Sequence, residues 1–280
     1  MFFKKLLIVA TLLIAVTSSA DQQWEKISDI DGIITYRKEI PDSPIVAFRG
    51  EADVNAPIAK VANILMDTPK KMEWVSNIME ARNLELTSNV ERVEYNKTHT
   101  PWPVSNRDFV FNAKMETDIP NKKLRFYMKS VTHPSMPETK AVRGHMTGVY
   151  ILTALDGGKT HLEVEIVADP KGAIPKWLVN LMQKKWPRKT IAGIREQAAK
   201  SSVVEDAGVK ALMAGLTMEQ GQRVIEAHKG GKNLDEAIAA EKGAIAAAAV
   251  AESEKVAAAE KAKAKEEAAK NKKKAKKSVH

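Results

Sequence analysis

From Trp24 to about Asp169 the sequence alternates apolar and polar residues in one short run after another, and at Ile174 it changes to a long run with helical spacing. Alternation at period two puts every second side chain on one face, the pattern of strands buried on one side only. Runs at 32–37, 45–50, 82–87, 90–98, 107–116 and 123–131 read as strands, and 142–155 with 160–168 reads as a hairpin turning at 156–159. Helical spacing occurs first at Ile58, Val61, Ala62 and Leu65, with Asn55 as N-cap and Pro57 in the first turn. It returns at Ile174, Trp177, Leu178, Leu181 and Met182, with Pro175 near the helix start. Pro187 must kink or break that helix because it has no amide to donate, and Ile191, Ile194 and Ala198 continue the stripe beyond it. Hairpin-linked strands closed by one long helix define an α+β domain, the helix lying across the concave face of an antiparallel sheet.

The ends of the chain have other compositions. Lys4 and Lys5, an apolar stretch at 6–16 and the small residues Thr17, Ser18, Ser19 and Ala20 form the layout of a secretory signal, with cleavage after Ala20. The apolar stretch is too short for a bilayer core, which takes about 20 residues. The expected location is therefore periplasmic or secreted. The chain has no cysteine, which removes thiol catalysis, thiolate metal sites and disulfides, so the core alone must hold the fold. The formal charge is +9, but residues 251–280 hold ten Lys and five Glu, so the excess belongs largely to the tail and argues against a nucleic-acid-binding domain. The expected organisation is a signal at 1–20, one domain at 21–200, a short helical segment at 201–232 and an Ala/Lys/Glu-rich basic tail at 233–280. Within it, Thr217 to Gln220 reads as a capping box, and Asn233 with Glu236 as a second helix start. Lys272, Lys273, Lys274, Lys276 and Lys277 suit a solvated charge run and anionic head groups equally well.

Three segments go beyond pattern: Pro101-Trp102-Pro103-Val104-Ser105-Asn106-Arg107-Asp108-Phe109-Val110; Ser130-Val131-Thr132-His133-Pro134-Ser135-Met136-Pro137 with Val142-Arg143; and Asp169-Pro170-Lys171-Gly172-Ala173-Ile174-Pro175-Lys176-Trp177-Leu178-Val179-Asn180. In this order and spacing they resemble the START (steroidogenic acute regulatory protein-related lipid transfer) domain family. The likeness covers roughly residues 24–200 and is nearest to the phosphatidylcholine-transfer members in the first and third segments. It implies a helix-grip fold: a curved antiparallel sheet wrapped around a long C-terminal helix, with a tunnel for one phospholipid, sphingolipid or sterol. The family carries or senses that lipid without chemistry, so the resemblance implies no enzyme and no cofactor. Sterol-binding members pair an acid with an arginine six residues beyond the arginine of the Arg-Asp-Phe motif. Glu94 can take the acid position, but the second position is Ala113, which puts sterol recognition of that kind in doubt. Arg107 and Asp108 read as structural.

Strand parity nominates the ligand-facing residues. Phe109, Phe111, Ala113 and Met115 share a face, as do Leu124, Phe126 and Met128, and Leu162, Val164, Ile166 and Ala168. Pairing Leu155 with Thr160 sets Val164 opposite Ile151, Ile166 opposite Val149 and Ala168 opposite Thr147. It also places His145 and Arg143 on the inner face. With Glu94 and Asn96 they would form a polar spot that fixes a lipid head group by hydrogen bonds; a structural ion pair at the sheet rim is the alternative. Trp177, Leu178, Leu181 and Met182 would line the lid, and the resemblance places Trp186 near the ligand. Trp102, between two prolines in a loop, cannot join a sheet centre. An indole at a loop tip suits a membrane interface, and in the family this loop helps gate the tunnel.

The leading function is a carrier that moves one lipid across the periplasm, with transient membrane contact. The runner-up is a lipid sensor whose C-terminal arm binds an envelope protein. Least supported is a helix-grip enzyme, for which His145 with Glu94 is the only plausible acid–base pair, since none of the six histidines has metal-ligand spacing.

Overall fold

The computed structural model describes residues 23–102 and 104–277, with side chains as far as residue 265. The expected signal with its expected cleavage after Ala20, Pro103, and the side chains of Lys272 to Lys277 lie outside the described residues. The strands are β1 (Glu25–Ile30), β2 (Ile33–Ile40), β3 (Ser43–Val54), β4 (Ile78–Leu86), β5 (Glu91–Thr98), β6 (Arg107–Asp118), β7 (Lys123–Ser130), β8 (Val142–Arg143), β9 (His145–Leu155) and β10 (Lys159–Asp169). The helices are α1 (Ile58–Met66), α2 (Lys176–Gln183), α3 (Trp186–Ala199), α4 (Ala207–Met213), α5 (Met218–Lys229) and α6 (Leu234–Lys277), and a 3₁₀ turn covers Thr68–Glu73.

One open sheet runs in the order β1-β2-β3-β10-β9-β7-β6-β5-β4, antiparallel throughout, with β8 added in parallel beside the start of β6. The parity read from the sequence holds in β6, β7 and β10. Phe111, Ala113, Met115, Leu124, Phe126, Met128, Leu162 and Val164 are all buried in the main core, with Ile191 and Ile194 of α3. Pro187 ends α2 and sits in the first turn of α3, so the predicted break divides the long helix in two. α1 forms where expected, but Asn55 does not cap it; Pro57 takes the N-cap position without a side-chain bond.

Close backbone approaches seat α3. A Cβ on Gly193 would lie 2.3 Å from the Trp74 carbonyl oxygen, and one on Gly50 would lie 2.8 Å from Pro187. Glycine in a helix costs about 1 kcal/mol relative to alanine, which the contact at Gly193 explains. Arg195 then donates to the carbonyls of Asp31, Gly32 and Asp53, clamping α3 to the β1–β2 turn.

The segment after Lys200 is not separate from this core. Val209 of α4 is buried in the main cluster, and the Asp206 amide donates to Ala59 O of α1 at 3.0 Å. The Thr217–Gln220 capping box starts α5, and Asn233 accepts from the Asp235 amide at the start of α6. Among the described side chains, only the first turns of α6 pack, through Ala237 and Ile238 with Leu234 and Ile245 against them.

The hairpin register differs from the sequence reading. Leu155 pairs with Lys159, not Thr160, so the loop is Asp156, Gly157 and Gly158, with both glycines at positive φ. Val164 therefore faces Tyr150, Ile166 faces Gly148 and Ala168 faces Met146. A one-residue slip moves every side chain of a strand to the other face. Met146, Tyr150 and Leu152 point inward, whereas His145 is exposed on the outer side.

Candidate functional site

Strands β4, β5, β6, β7, β9 and β10 and the helix α2 line a cavity of about 210 Å³. Asn96 on β5, Phe109 and Phe111 on β6, Met128 on β7, Tyr150 on β9 and Ile166 on β10 all line it, so the sheet wraps around this space. Val179, Met182 and Gln183 of α2 cover it, with Ile174 before them and Trp186 after. α2 is held by one small apolar cluster, Val179 with Ile45 and Ile174, and by polar bonds. Asn180 accepts from the Val46 amide at 3.2 Å and donates to Pro44 O, and Gln183 Nε2 donates to Ala168 O at 2.6 Å.

The inner face of β5 is polar where its neighbours are apolar. Arg92, Glu94 and Asn96 point inward, while Val93 and Tyr95 pack on the outer side with Val110, Val131 and Met136. Glu94 is fully buried. Its Oε1 accepts from Arg92 Nε at 2.7 Å, and its Oε2 accepts from Lys71 Nζ. Arg92 also donates to Leu65 O and to the Thr68 hydroxyl. Burial drives the Glu94 carboxyl upward, but the charges of Lys71 and Arg92 outweigh it and hold it below the ordinary range. Burial lowers Lys71, which Glu94 only partly offsets. Two cations on one carboxylate leave a buried excess of positive charge, and of the three only Lys71, 5.3 Å from the centre of the Phe111 ring, reaches the cavity wall. Arg92 is the cross-strand partner of Ala113. Arg92 pairs with Glu94 along the same strand, two residues away.

The expected spot of Arg143, Glu94, His145 and Asn96 does not form. Gly144 separates β8 from β9, and Phe109 lies where a side chain at 144 would be. Before that break the chain pairs with β6, placing Arg143 beside Asp108 on the outer face, the side opposite Glu94. Arg143 Nε donates to Asp108 Oδ1 at 2.5 Å and Nη2 to Oδ2 at 3.1 Å, with Thr139 adding a third bond. Burial raises the Asp108 carboxyl, yet these bonds hold it below its usual range. His145 pairs across the ladder with Asp169 and meets no glutamate, so the acid–base pair with Glu94 does not exist either.

Of the other nominated residues, Asn96, Phe109, Phe111, Met128, Ile166, Met182 and Trp186 line the cavity. Val164 is solid core, and Leu178 packs with Ile45, Ile174 and Val179. Trp177 and Leu181 point outward, 68% and 55% exposed. Helical spacing showed an apolar stripe but not that α2, a short helix, carries apolar residues on two faces. Met182 lies on the border, reaching the cavity while 44% exposed. Trp102 stands 92% exposed at its loop tip. The sequence reading missed Lys71, Tyr150 and Gln183. Tyr150 was hidden by the register slip, and Lys71 sits in a polar 3₁₀ turn without periodicity.

An open antiparallel sheet wrapped around a mixed apolar and polar cavity, closed by a C-terminal helix, defines a ligand-enclosing α+β protein of the helix-grip kind. The chain belongs to the START domain family, whose model matches residues 8–189. An uncharacterized protein of Pseudomonas aeruginosa is 26% identical over 70% of this chain and 97% of its own length. The phosphatidylcholine transfer protein of Mus musculus is 26% identical over 58% of this chain and 77% of its own. A crystal structure of a STAR-related lipid transfer protein from Xanthomonas axonopodis superposes with a TM-score of 0.58 at 27% identity, covering 63% of this chain and 99% of that one. START domain proteins bind lipids and transfer them.

Proposed function

We propose that this protein binds a single lipid in the cavity beneath α2 and carries it between membranes across the periplasm, without chemical turnover. The observation that carries the reading is the covering helix itself. α2 closes a cavity with Val179, Met182 and Gln183 while presenting Trp177 and Leu181 to solvent on its other face. An apolar outer face on a cover held by one small apolar cluster and a few polar bonds suits a helix that enters a membrane surface when the site opens. The cavity is smaller than the about 300–1,000 Å³ of drug-sized ligand pockets, so a two-chain lipid requires α2 and the Trp102 loop to move. Lys71, buried with its excess charge, favours a ligand with an anionic group such as a phosphate. The relatives named as lipid transfer proteins support the same reading, and the signal-like start of the chain supports the compartment.

Native mass spectrometry of the protein exported by its host, with extraction of the bound material, tests the reading. One lipid per chain and transfer between labelled vesicles is the expected result; a protein that takes up no amphiphile defeats it. A lipid sensor acting through its arm is the second reading, favoured by the length and exposure of α6. Removing the exposed part of α6 separates the two, because a carrier keeps its transfer activity.

A further inference from the structure

Two hydrogen-bond acceptors on residues that line the cavity are buried with nothing to accept. Gln183, the last residue of α2, donates Nε2 to the Ala168 carbonyl at 2.6 Å, and its Oε1 has no partner. That bond fixes the orientation of the amide, since reversing it would set two oxygens against each other. On β5, Asn96 lies two residues beyond Glu94 on the inner face, across from Phe109, and its Oδ1 is likewise buried and unpartnered. The nearby cations do not serve them. Lys71 is engaged by Glu94, and Arg107 donates all three of its nitrogens to the carbonyls of Ser105, Pro170 and Lys171. A buried acceptor left empty is costly, and native structures retain one where a ligand or water completes it.

We propose that the polar end of the ligand carries hydrogen-bond donors, a hydroxyl or a protonated primary amine, received by Gln183 Oε1 and Asn96 Oδ1. The inference rests on the lipid-binding reading and narrows it. A trimethylammonium head group has no N–H or O–H and leaves both acceptors empty, so the site discriminates against choline lipids. Because Gln183 belongs to the covering helix, its bond to the ligand forms only when α2 is seated. The head group thereby contributes to closure as well as to selection.

The experiment offers the full-length protein an equimolar mixture of phosphatidylglycerol, phosphatidylethanolamine and phosphatidylcholine with identical acyl chains, and reads the bound ratio by native mass spectrometry. Glycerol or ethanolamine lipid should exceed choline lipid by about fivefold or more, the scale of one or two net hydrogen bonds. Asn96→Leu and, separately, Gln183→Lys, which keeps a donor for Ala168 O but removes the acceptor, should each bring the ratio toward one. General damage to the site would lower uptake of all three lipids alike, so the ratio is the readout; if one variant fails to fold, the other carries the test. Equal uptake of the three, a choline preference, or a ratio that neither substitution moves overturns this inference and leaves lipid binding standing. Uptake of none overturns the lipid-binding reading itself.

Discussion

Arg107 and Asp108 are neighbours in β6 that face opposite sides of the sheet, and between them they join the three segments that carry the family likeness. On the inner side, Arg107 donates to Ser105 O in the first segment and to Pro170 O and Lys171 O in the third. On the outer side, Asp108 accepts from Arg143 and Thr139, which anchor the loop of the second segment. Arg143 completes that anchor by donating to Pro137 O at 3.2 Å. The residues that make the sequence recognisable thus tie the frame of the site together, and Arg107, Phe109, Pro170, Ile174 and Val179 among them also line the cavity.

Asp108→Ala is therefore a stability variant. Losing a buried carboxylate bonded to a guanidinium and a hydroxyl should cost about 2–3 kcal/mol. Chemical denaturation should show the loss, while lipid bound per folded molecule stays unchanged. A selective loss of lipid would place Arg143 in the ligand site after all.

The cluster around Glu94 behaves differently, because its charges are buried. Glu94→Gln should destabilise by about 3–5 kcal/mol, leaving Lys71 and Arg92 uncompensated. Adding Lys71→Met should recover part of that loss, which denaturant titrations of the single and double variants would register as a favourable coupling. Strict additivity would show that the pair does not interact as the geometry has it.

Trp102 is expected to matter for transfer and not for folding. At 92% exposure, Trp102→Ala should stay within about 0.5 kcal/mol of the parent in stability. Vesicle-to-vesicle transfer should slow. An unchanged transfer rate removes the loop from the gating role.

Asp169 makes the start of the lid acid-sensitive. Burial raises its carboxyl, but the Lys171 amide at 3.0 Å and the ammonium groups of Lys171 and Lys176 prevail and bring it down to about 2. A carboxyl with a depressed native pKa stabilises the fold above its ordinary value near 3.8 and loses that contribution as pH falls through about 2. The melting-temperature gap between the parent and Asp169→Asn should hold from pH 7 down to about 5 and close progressively toward pH 2. A gap that does not vary with pH refutes the assignment.

Truncation should divide the arm at a physical boundary. The described side chains at 247–265 are all exposed, so removing residues 247–280 should leave the melting temperature nearly unchanged. Removing 201–280 deletes Val209 from the main core and the Val204 O and Asp206 N bonds to Asn63 and Ala59, so stability should fall by about 2–4 kcal/mol. Equal stability of the two truncated forms would make the segment after Lys200 a passive tail.

The sequence by itself determined which residues of β6, β7 and β10 face inward, where α1 lies, that Pro187 divides the C-terminal helix, and how α5 begins. Each is a local matter, decided by side-chain period, a missing amide or a reciprocal cap within four residues. Tertiary structure alone decided the register of β9, the partners of Arg143 and Glu94, and which face of α2 turns to the cavity. A loop one residue shorter than read exchanged His145 for Met146 and Ile151 for Tyr150 on the inner face. Lys71 meets Glu94 across 23 residues, and Arg143 meets Asp108 across 35. Periodicity states that a strand or helix has a buried side. What that side is buried against depends on the strand beside it, and neighbouring strands are chosen by the packing of the whole sheet.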